Sequence, residues 1–299
     1  MSASAAAETV TVGELRRQAS DLLKGAGIVN AVWETDWLLA SAWDVPSRML
    51  ILEGERPVST LQAEQAWSLL RRRAARAPIQ YLLGTQEFRG LDITVTPDVL
   101  IPRPETELLV EETLRAIMGI NEPTVVDVGT GSGCIAVAVV RERPGATVYA
   151  LDISGPALRI ARSNAVRHGV HDRIKFVQTD LVGAISNRAG AVFDVIVSNP
   201  PYIPVRELDG LQPEVSRYEP RVALAAGTDG LAFYRRLLQE APPLLKPGGR
   251  LILELGCGQA ETVACLMRQS GAFESVECRN DAAGIGRVLV ARRGGRRVS

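Results

Sequence analysis

The sequence predicts an α/β fold in which a parallel sheet follows a purely helical N-terminal segment. From Thr124 onward, short apolar runs rich in β-branched residues alternate with helical patterns, which favours a parallel sheet with helices on both faces. The first of these runs leads into a glycine-rich turn at residues 129–133. Before residue 78, in contrast, apolar residues recur at helical spacing only. We therefore expect a helical domain and a sheet domain in one chain.

The composition is that of a globular protein. The 299 residues suffice for one large or two modest domains, and 46% of them are hydrophobic and 23% charged. Lys plus Arg and Asp plus Glu both number 34, so no net charge attracts the chain to nucleic acid. This balance disfavours a general nucleic-acid enzyme, although a local basic patch could still serve one.

The cysteines and the termini indicate a cytoplasmic protein that binds neither a metal nor a membrane. The four cysteines contain no C-x-x-C pair and have no histidine at zinc-site spacing, so we expect free thiols in a reducing compartment. Residues Met1 to Glu8 have neither the charged nor the apolar region of a signal peptide. No apolar run is long enough to cross a bilayer.

Residues 1–77 are predicted to form a helical domain. Thr11 and Glu14 form a capping box, and Asn30 and Ser59 can cap two further helices. Pro78 ends the last of them. Apolar residues at helical spacing predict the core of a small bundle, and this set includes Trp33, Trp37 and Trp67.

Residues 78–104 are predicted to form a β-hairpin that links the two domains. Leu91, Ile93 and Val95 alternate as in a strand, after a tight turn at Arg89-Gly90. The prolines and acidic residues of the run 101–107 then suit the start of a helix. The second domain is therefore expected to cover residues 105–299.

The glycine-rich turn predicts a nucleotide-like cofactor. It follows the strand Thr124–Val128 and precedes a helix that begins at Cys134, and glycines let the backbone approach a ligand closely. The pattern is G-x-G-x-G, with Cys134 where a dinucleotide reader has its third glycine. This spacing favours S-adenosylmethionine over NAD. The cofactor-binding residues predicted here are Asp127, Gly129, Thr130, Gly131, Ser132 and Gly133.

Acidic residues end the next two predicted strands. Asp152 lies about twenty residues beyond the glycine turn, where a carboxylate can accept both hydroxyls of a ribose. Asp180 follows the strand Ile174–Val177 and could accept a hydrogen bond from an adenine amino group. It could equally cap a helix or a turn, and both interpretations stay open.

The run Asn199-Pro200-Pro201-Tyr202 predicts the chemistry. It ends the strand Val192–Ser198, and its prolines hold the turn stiffly. The Asn199 carboxamide and the Pro200 carbonyl offer two acceptors for a planar –NH2 group, and Tyr202 offers a face for stacking. The run resembles the NPPY signature of methyltransferases that act on amide or exocyclic amino nitrogens.

Taken together, the chain resembles the peptide chain release factor N5-glutamine methyltransferases, the PrmC/HemK family. The resemblance is carried by Pro78–Tyr81 with Gly84 and Phe88, by Val99–Glu107, by Asp127–Cys134, and by Ser198–Pro204 with Tyr218–Arg221. It implies a class I S-adenosylmethionine-dependent methyltransferase domain, Rossmann-like with a seven-stranded sheet, behind an N-terminal helical domain that recognises the substrate. It also implies methylation of the glutamine in the Gly-Gly-Gln loop of class I release factors.

The resemblance assigns roles to single residues. The family's contacts with cofactor or substrate match the glycine loop, Asp152, Asn199 and the residue that follows Asp180. That residue is Leu181, where some relatives carry an aromatic side chain, so any stacking on adenine is weaker or comes from elsewhere. We expect the residues Asn199, Pro200 and Tyr202 to be catalytic, and Pro201 and Arg103 to bind substrate with them.

The implied reaction is mainly a problem of orientation, because an amide nitrogen is a poor nucleophile and the sulfonium methyl is already activated. No base is evident, and the products are the methylated glutamine and S-adenosylhomocysteine.

An adenine-N6 methyltransferase acting on DNA or RNA by base flipping is one alternative function, and a catalytically silent cofactor-binding protein is a second. The balanced charge and the 101–107 run disfavour the first, and the intact 199–202 run disfavours the second. We expect a monomer without direct nucleic-acid contacts.

Overall fold

The computed structural model describes residues 10–186 and 190–295, which form two compact units. Of the described residues, the helical unit contains 10–84 together with Gln212–Tyr218, and the sheet unit contains the others. The segment Met1–Glu8, where we expect no signal peptide, lies outside the described residues. Within them, no helix is long and apolar enough to cross a membrane.

The helical unit consists of six helices around one apolar core. They are α1 (Val12–Gly25), α2 (Ala31–Trp43), α3 (Ser47–Leu52), α4 (Thr60–Ala74), α5 (Ile79–Leu83) and α10 (Pro213–Tyr218). The capping box predicted at Thr11 is confirmed, and Ser59 forms a second one with Gln62. Asn30 precedes α2 as predicted, but its side chain makes no capping hydrogen bond. The core consists of buried leucines, alanines, valines and an isoleucine, and α1, α2 and α4 contribute most of them.

Helix α2 differs from the predicted arrangement. Trp33 is 66% exposed and Trp37 is 47% exposed, so neither belongs to the core as predicted, whereas Trp67 packs against it. The buried face of α2 instead carries Glu34 and Asp36. Both carboxylates are ion-paired with arginines of α4 and α1, respectively. Helical spacing alone could not predict which face of α2 is buried, because apolar residues occur around most of the helix.

The sheet unit contains the predicted seven-stranded sheet. Its strands are β3 (Thr124–Val128), β4 (Thr147–Asp152), β5 (Ile174–Gln178), β6 (Phe193–Ser198), β7 (Leu245–Glu254), β8 (Phe273–Asn280) and β9 (Gly286–Arg293). The order is β5-β4-β3-β6-β7-β9-β8. The first five run parallel, and β9 is antiparallel to both β7 and β8. The fold class is therefore confirmed.

Helices connect these strands as the alternating pattern predicts. They are α6 (Thr106–Ala116), α7 (Cys134–Glu142), α8 (Gly155–Arg167), α9 (Gly183–Ser186), α11 (Ala232–Glu240) and α12 (Ala260–Gln269). The parallel strands β3, β4, β5 and β6 end at Val128, Asp152, Gln178 and Ser198, at one edge of the sheet. The residues that follow these strands therefore gather in one place, which is where α/β sheets bind ligands.

The predicted hairpin is present but shorter than expected. It consists of β1 (Thr85–Phe88) and β2 (Leu91–Thr94), joined at Arg89-Gly90 with positive φ at both residues. The preceding residues 79–83 form α5 instead of extended chain. Gly84 ends this helix in the left-handed region, at φ +80°, which only glycine adopts without strain.

The long connection after the NPPY turn is more ordered than a loop. It contains two 3-10 turns and α10, and its ends are joined by backbone hydrogen bonds between Ile203 and residues Leu224 and Ala226. Its middle part, Gln212–Tyr218, leaves the sheet unit and packs within the helical unit. There the Tyr218 hydroxyl donates to the Ala75 carbonyl at 2.7 Å. This short segment therefore belongs to the helical unit, although it follows more than a hundred residues of the sheet unit along the chain.

Candidate active site

A cavity of about 270 Å³ lies at the carboxyl ends of the parallel strands. All the residues that line it belong to the sheet unit. The predicted site residues among them are Gly129, Gly131, Asp152, Asp180, Leu181, Asn199, Pro200 and Pro201. Two separate sequence motifs, the glycine turn and the Asn-Pro-Pro run, therefore meet in one cavity.

The glycine turn presents bare backbone to this cavity. Gly129 and Gly131 have φ of +73° and +54°, and nothing lies within 4 Å of the place where a Cβ would stand. Gly133 serves another purpose, because a Cβ there would come within 2.9 Å of the Ala161 Cβ on α8. The first two glycines thus leave room for a ligand, and the third allows two helices to pack closely.

Asp127 supports the turn from below. It is fully buried, and its Oδ2 accepts a hydrogen bond of 2.6 Å from the Thr130 hydroxyl. Burial raises the pKa of Asp127 to about 7, against the effect of that hydroxyl. Its Oδ1 has no hydrogen-bond partner within residues 10–186 and 190–295. Like Thr130 and Ser132, which are also buried, Asp127 does not line the cavity.

Asp152 is held with both carboxylate oxygens fixed at the cavity wall. Oδ2 accepts from the Gly131 amide and Oδ1 from the Ser154 amide, both at 2.8 Å. Burial raises the pKa of Asp152, and the two amides oppose this effect. Each oxygen still has a lone pair for a further donor. Two oriented acceptors beside open glycine backbone fit a ribose with two adjacent hydroxyls, as S-adenosylmethionine has.

We expect Asp152→Ala to weaken S-adenosylmethionine binding by about 1–3 kcal/mol, because it leaves the ribose hydroxyls and the Gly131 amide without their acceptor. Isothermal titration calorimetry measures the change. Asp172→Ala is the matched control, because the Asp172 side chain is fully exposed outside the cavity. Unchanged affinity in the Asp152 variant would remove this carboxylate from the cofactor site.

Asp180 and Leu181 line the cavity together with Phe233 and Arg236 of α11. Asp180 forms an ion pair with Arg236 at 3.0 Å, and Leu181 adopts a positive φ of +47°. Phe233 was not among the site residues predicted from the sequence. It supplies an aromatic ring that lines the same cavity as Leu181.

Asn199 also lines the cavity, and its side chain is held through a chain of two buried side chains. Its Nδ2 donates to the Thr106 hydroxyl at 3.3 Å, and that hydroxyl donates to Glu254 Oε2 at 2.7 Å. Thr106 and Glu254 are each 2% exposed. Burial raises the pKa of Glu254 to about 7, although the Thr106 hydrogen bond lowers it. The sequence analysis included Thr106 only as part of a motif and missed Glu254, although a carboxylate in the apolar strand β7 was a usable signal.

Tyr202 does not line the cavity. Its ring packs against the core of the sheet unit, and its Cδ2 lies 2.9 Å from where a Cβ on Gly256 would stand. Burial raises the pKa of its phenol to about 12. Gln259, a second residue that the sequence analysis missed, donates to the Tyr202 carbonyl at 2.9 Å and so fixes the end of the turn. Stacking of Tyr202 on a substrate stays a prediction.

Arg103 also lies outside the cavity lining. It donates to Glu219 Oε1 at 2.5 Å, and burial raises the pKa of this glutamate. The neighbouring residues Pro220, Val222 and Ala223 do line the cavity. In the structure, Arg103 therefore holds a segment of the cavity wall. Binding of substrate by Arg103 stays a prediction.

No group of three or more His, Cys, Asp or Glu side chains in the described part of the chain could hold a metal ion. Four cysteines are free thiols there, and only Cys134 is buried.

Comparison with known proteins assigns the family. A model of the PrmC N-terminal domain matches residues 14–84, and one of the methyltransferase small domain matches residues 104–210. The release factor glutamine methyltransferase of Geobacter sulfurreducens is 45% identical over 268 residues, which cover 90% of this chain and 92% of that protein. The chain belongs to the release factor glutamine methyltransferase family. The resemblance deduced from its motifs is thereby confirmed.

Other relatives agree with this assignment. The release factor glutamine methyltransferase of Moorella thermoacetica is 40% identical over 95% of this chain and 99% of its own length. Among solved structures, a methyltransferase from Pyrococcus furiosus matches with a TM-score of 0.50 and 21% identity, over 75% of this chain and 99% of that one. The catalytic domain of hMettl16 matches with a TM-score of 0.56 and 17% identity, over 77% of this chain and 84% of that one. These two show the methyltransferase fold, and fold and family imply S-adenosylmethionine as the cofactor.

Proposed function

We propose that this chain transfers a methyl group from S-adenosylmethionine to the side-chain nitrogen, N5, of the glutamine in the Gly-Gly-Gln loop of class I release factors. The observation that carries the proposal is the orientation of Asn199. Its amide nitrogen is engaged by Thr106, which leaves Oδ1 as an acceptor beside the cavity. The family membership supports the same substrate. S-adenosylhomocysteine is the second product.

The cofactor supplies a methyl group already activated by its sulfonium. The protein has to hold the glutamine amide so that the nitrogen lone pair points along the line of transfer. Asn199 Oδ1 and the Pro200 carbonyl accept the two amide hydrogens. These acceptors stabilise the positive charge that develops on nitrogen, and they are fixed before the reaction begins. The stiff Pro200-Pro201 turn limits the loss of this geometry by backbone motion.

The remaining predicted residues have supporting parts in this proposal. The glycine turn and Asp152 hold the cofactor, and Leu181 and Phe233 face its adenine. Asp180 either accepts from the adenine amino group or serves only as the partner of Arg236. Tyr202 stacks on the substrate carboxamide, and Arg103, which also holds Glu219, contributes to substrate binding.

The proposal extends to the domains and partners. Residues 1–77 recognise the release factor, residues 78–104 link the domains, and residues 105–299 carry the chemistry. Two observations support this division of labour: the helical bundle has a core of its own, and the cavity takes none of its lining from residues 1–77. We further propose a monomer that needs no metal and no nucleic acid.

The decisive experiment uses S-adenosylmethionine with a radioactive methyl group. The purified chain is incubated with a class I release factor, with the same factor carrying Gln→Ala in its Gly-Gly-Gln loop, and with adenine-containing DNA and RNA. We expect label on the unaltered factor only, with peptide mass spectrometry assigning it to glutamine N5. Label on adenine N6 and none on the factor would instead establish the nucleic-acid methyltransferase.

A further inference from the structure

We propose that Thr106 and Glu254 are positioning residues that determine which way the Asn199 carboxamide points. The proposal rests on the proposed function, because it explains how the acceptor for the substrate amide is presented. Neither residue touches the cavity in the structure. Both act through Asn199.

The Thr106 hydroxyl has a single proton to donate. Thr106 Oγ1 lies 2.7 Å from Glu254 Oε2, and an ionised carboxylate only accepts hydrogen bonds. The hydroxyl proton is therefore used toward Glu254. Toward Asn199 the same oxygen can only accept, so the Asn199 atom that faces it at 3.3 Å has to be the donor Nδ2. The carboxamide is planar, so Oδ1 then points away from Thr106.

Burial makes this chain of hydrogen bonds selective. Thr106 and Glu254 are almost inaccessible to water, so no solvent molecule offers the hydroxyl an alternative partner. The two residues stand on rigid elements. Thr106 is the first residue of α6, and Glu254 is the last residue of β7, where the Tyr234 hydroxyl donates to its backbone carbonyl at 3.0 Å. The backbone thus fixes the positions of both Thr106 and Glu254.

Protonation of Glu254 removes the selectivity. A neutral carboxyl group can donate to the Thr106 oxygen, and the hydroxyl proton is then free to bond Asn199 Oδ1. This bond favours the flipped carboxamide, which presents an –NH2 group to the substrate's own –NH2 group. Burial and Glu105 raise the pKa of Glu254 to about 7, and Thr106, Arg287 and Asn199 lower it. Cys134, Tyr202 and Tyr234, which also interact with this carboxylate, have raised pKa values and are neutral at this pH.

The sign of the expected pH dependence follows directly. The productive orientation requires ionised Glu254, so kcat should fall as the pH decreases through about 7. The affinity for S-adenosylmethionine should not follow the same curve, because Glu254 is not among the residues that line the cavity.

The test compares Thr106→Val, Thr106→Ser and Glu254→Gln with the wild-type chain, using release factor and labelled S-adenosylmethionine. Valine keeps the shape of threonine and removes the hydroxyl. We expect Thr106→Val to lower kcat roughly 10–100-fold, as loss of an orienting partner does at other sites. Cofactor affinity should change less than about twofold, and Thr106→Ser should restore most of kcat. Glu254→Gln should lower kcat and abolish its decrease on the acidic side.

Thr113→Val is the matched control for structural damage. Thr113 is a fully buried threonine of the same helix, and its hydroxyl donates to the Leu109 carbonyl instead. We expect its kcat to equal that of the wild type. If Thr106→Val and Thr113→Val lower kcat equally, if serine fails to rescue, or if Glu254→Gln keeps the wild-type pH profile, the positioning role is wrong. An inactive wild-type chain would instead contradict the proposed function, so the two failures are distinguishable.

Discussion

Asn199→Ala is expected to lower kcat on release factor by about 10²–10³, the usual effect of removing one oriented hydrogen-bonding group at a reacting centre. The protein should stay folded, because β6 and the two prolines determine the backbone here. Cofactor affinity should be largely retained, since we propose that the glycine turn and Asp152 provide the other contacts. The measurement is steady-state kinetics with labelled S-adenosylmethionine, together with calorimetry of cofactor binding.

Asn199→Asp distinguishes orientation from simple bulk. The aspartate keeps an acceptor of the same shape but replaces the Nδ2 donor by an acceptor oxygen. That oxygen would face the Thr106 hydroxyl, whose proton is already used toward Glu254. Two carboxylates would then share one buried proton donor, and we expect activity as low as in the alanine variant. Asn121→Ala, at an exposed position outside the cavity, is the control. Near-normal kcat in either Asn199 variant would contradict the orientation mechanism.

The meeting of the glycine turn, Asp152 and the Asn-Pro-Pro run in one cavity could be predicted because each of them is local in sequence. The glycine turn, Asp152 and the Asn-Pro-Pro run each follow a strand directly, and parallel strands bring their carboxyl ends together. Once the strands were recognised, the meeting of these motifs followed from the topology. The sequence pattern was therefore sufficient to predict that Gly129 and Gly131 line the cavity.

The side chains that support Asn199 could not be predicted, because residues that contact each other there are distant in the chain. Thr106 and Glu254 are 148 residues apart and meet through the packing of α6 beside β7. Phe233 has no motif of its own and faces the cavity because α11 presents it there. Side chains such as these depend on how helices pack on the sheet, and no local pattern encodes that packing.

The buried charges of the helical unit could not be predicted for the same reason. Spacing predicted an apolar face for α2 with Trp33 and Trp37 inside, whereas the structure buries Glu34 there. A carboxylate can be buried when a cation is buried with it. The cation is Arg73 of α4, 39 residues further along the chain.

Arg73→Met is expected to destabilise the helical unit by about 3–5 kcal/mol, the usual effect of removing one partner from a buried ion pair. Arg73 is 6% exposed and binds Glu34 through Nε. Its Nη1 binds Glu214 of α10 at 2.9 Å. The variant would leave Glu34, itself 8% exposed, without its cation. Glu214 would keep only Arg76, whose Nη2 donates to it at 2.9 Å.

Tryptophan fluorescence during urea unfolding measures this effect selectively, because all four tryptophans lie in the helical unit. The control is Arg72→Met, one residue earlier on α4 and exposed, which should leave the unfolding midpoint unchanged. The double variant Arg73→Met with Glu34→Leu removes the orphaned carboxylate and should recover part of the loss, since apolar replacements of buried ion pairs are often tolerated. A midpoint shift no larger than that of Arg72→Met would mean that the bundle holds Glu34 and α10 without this arginine.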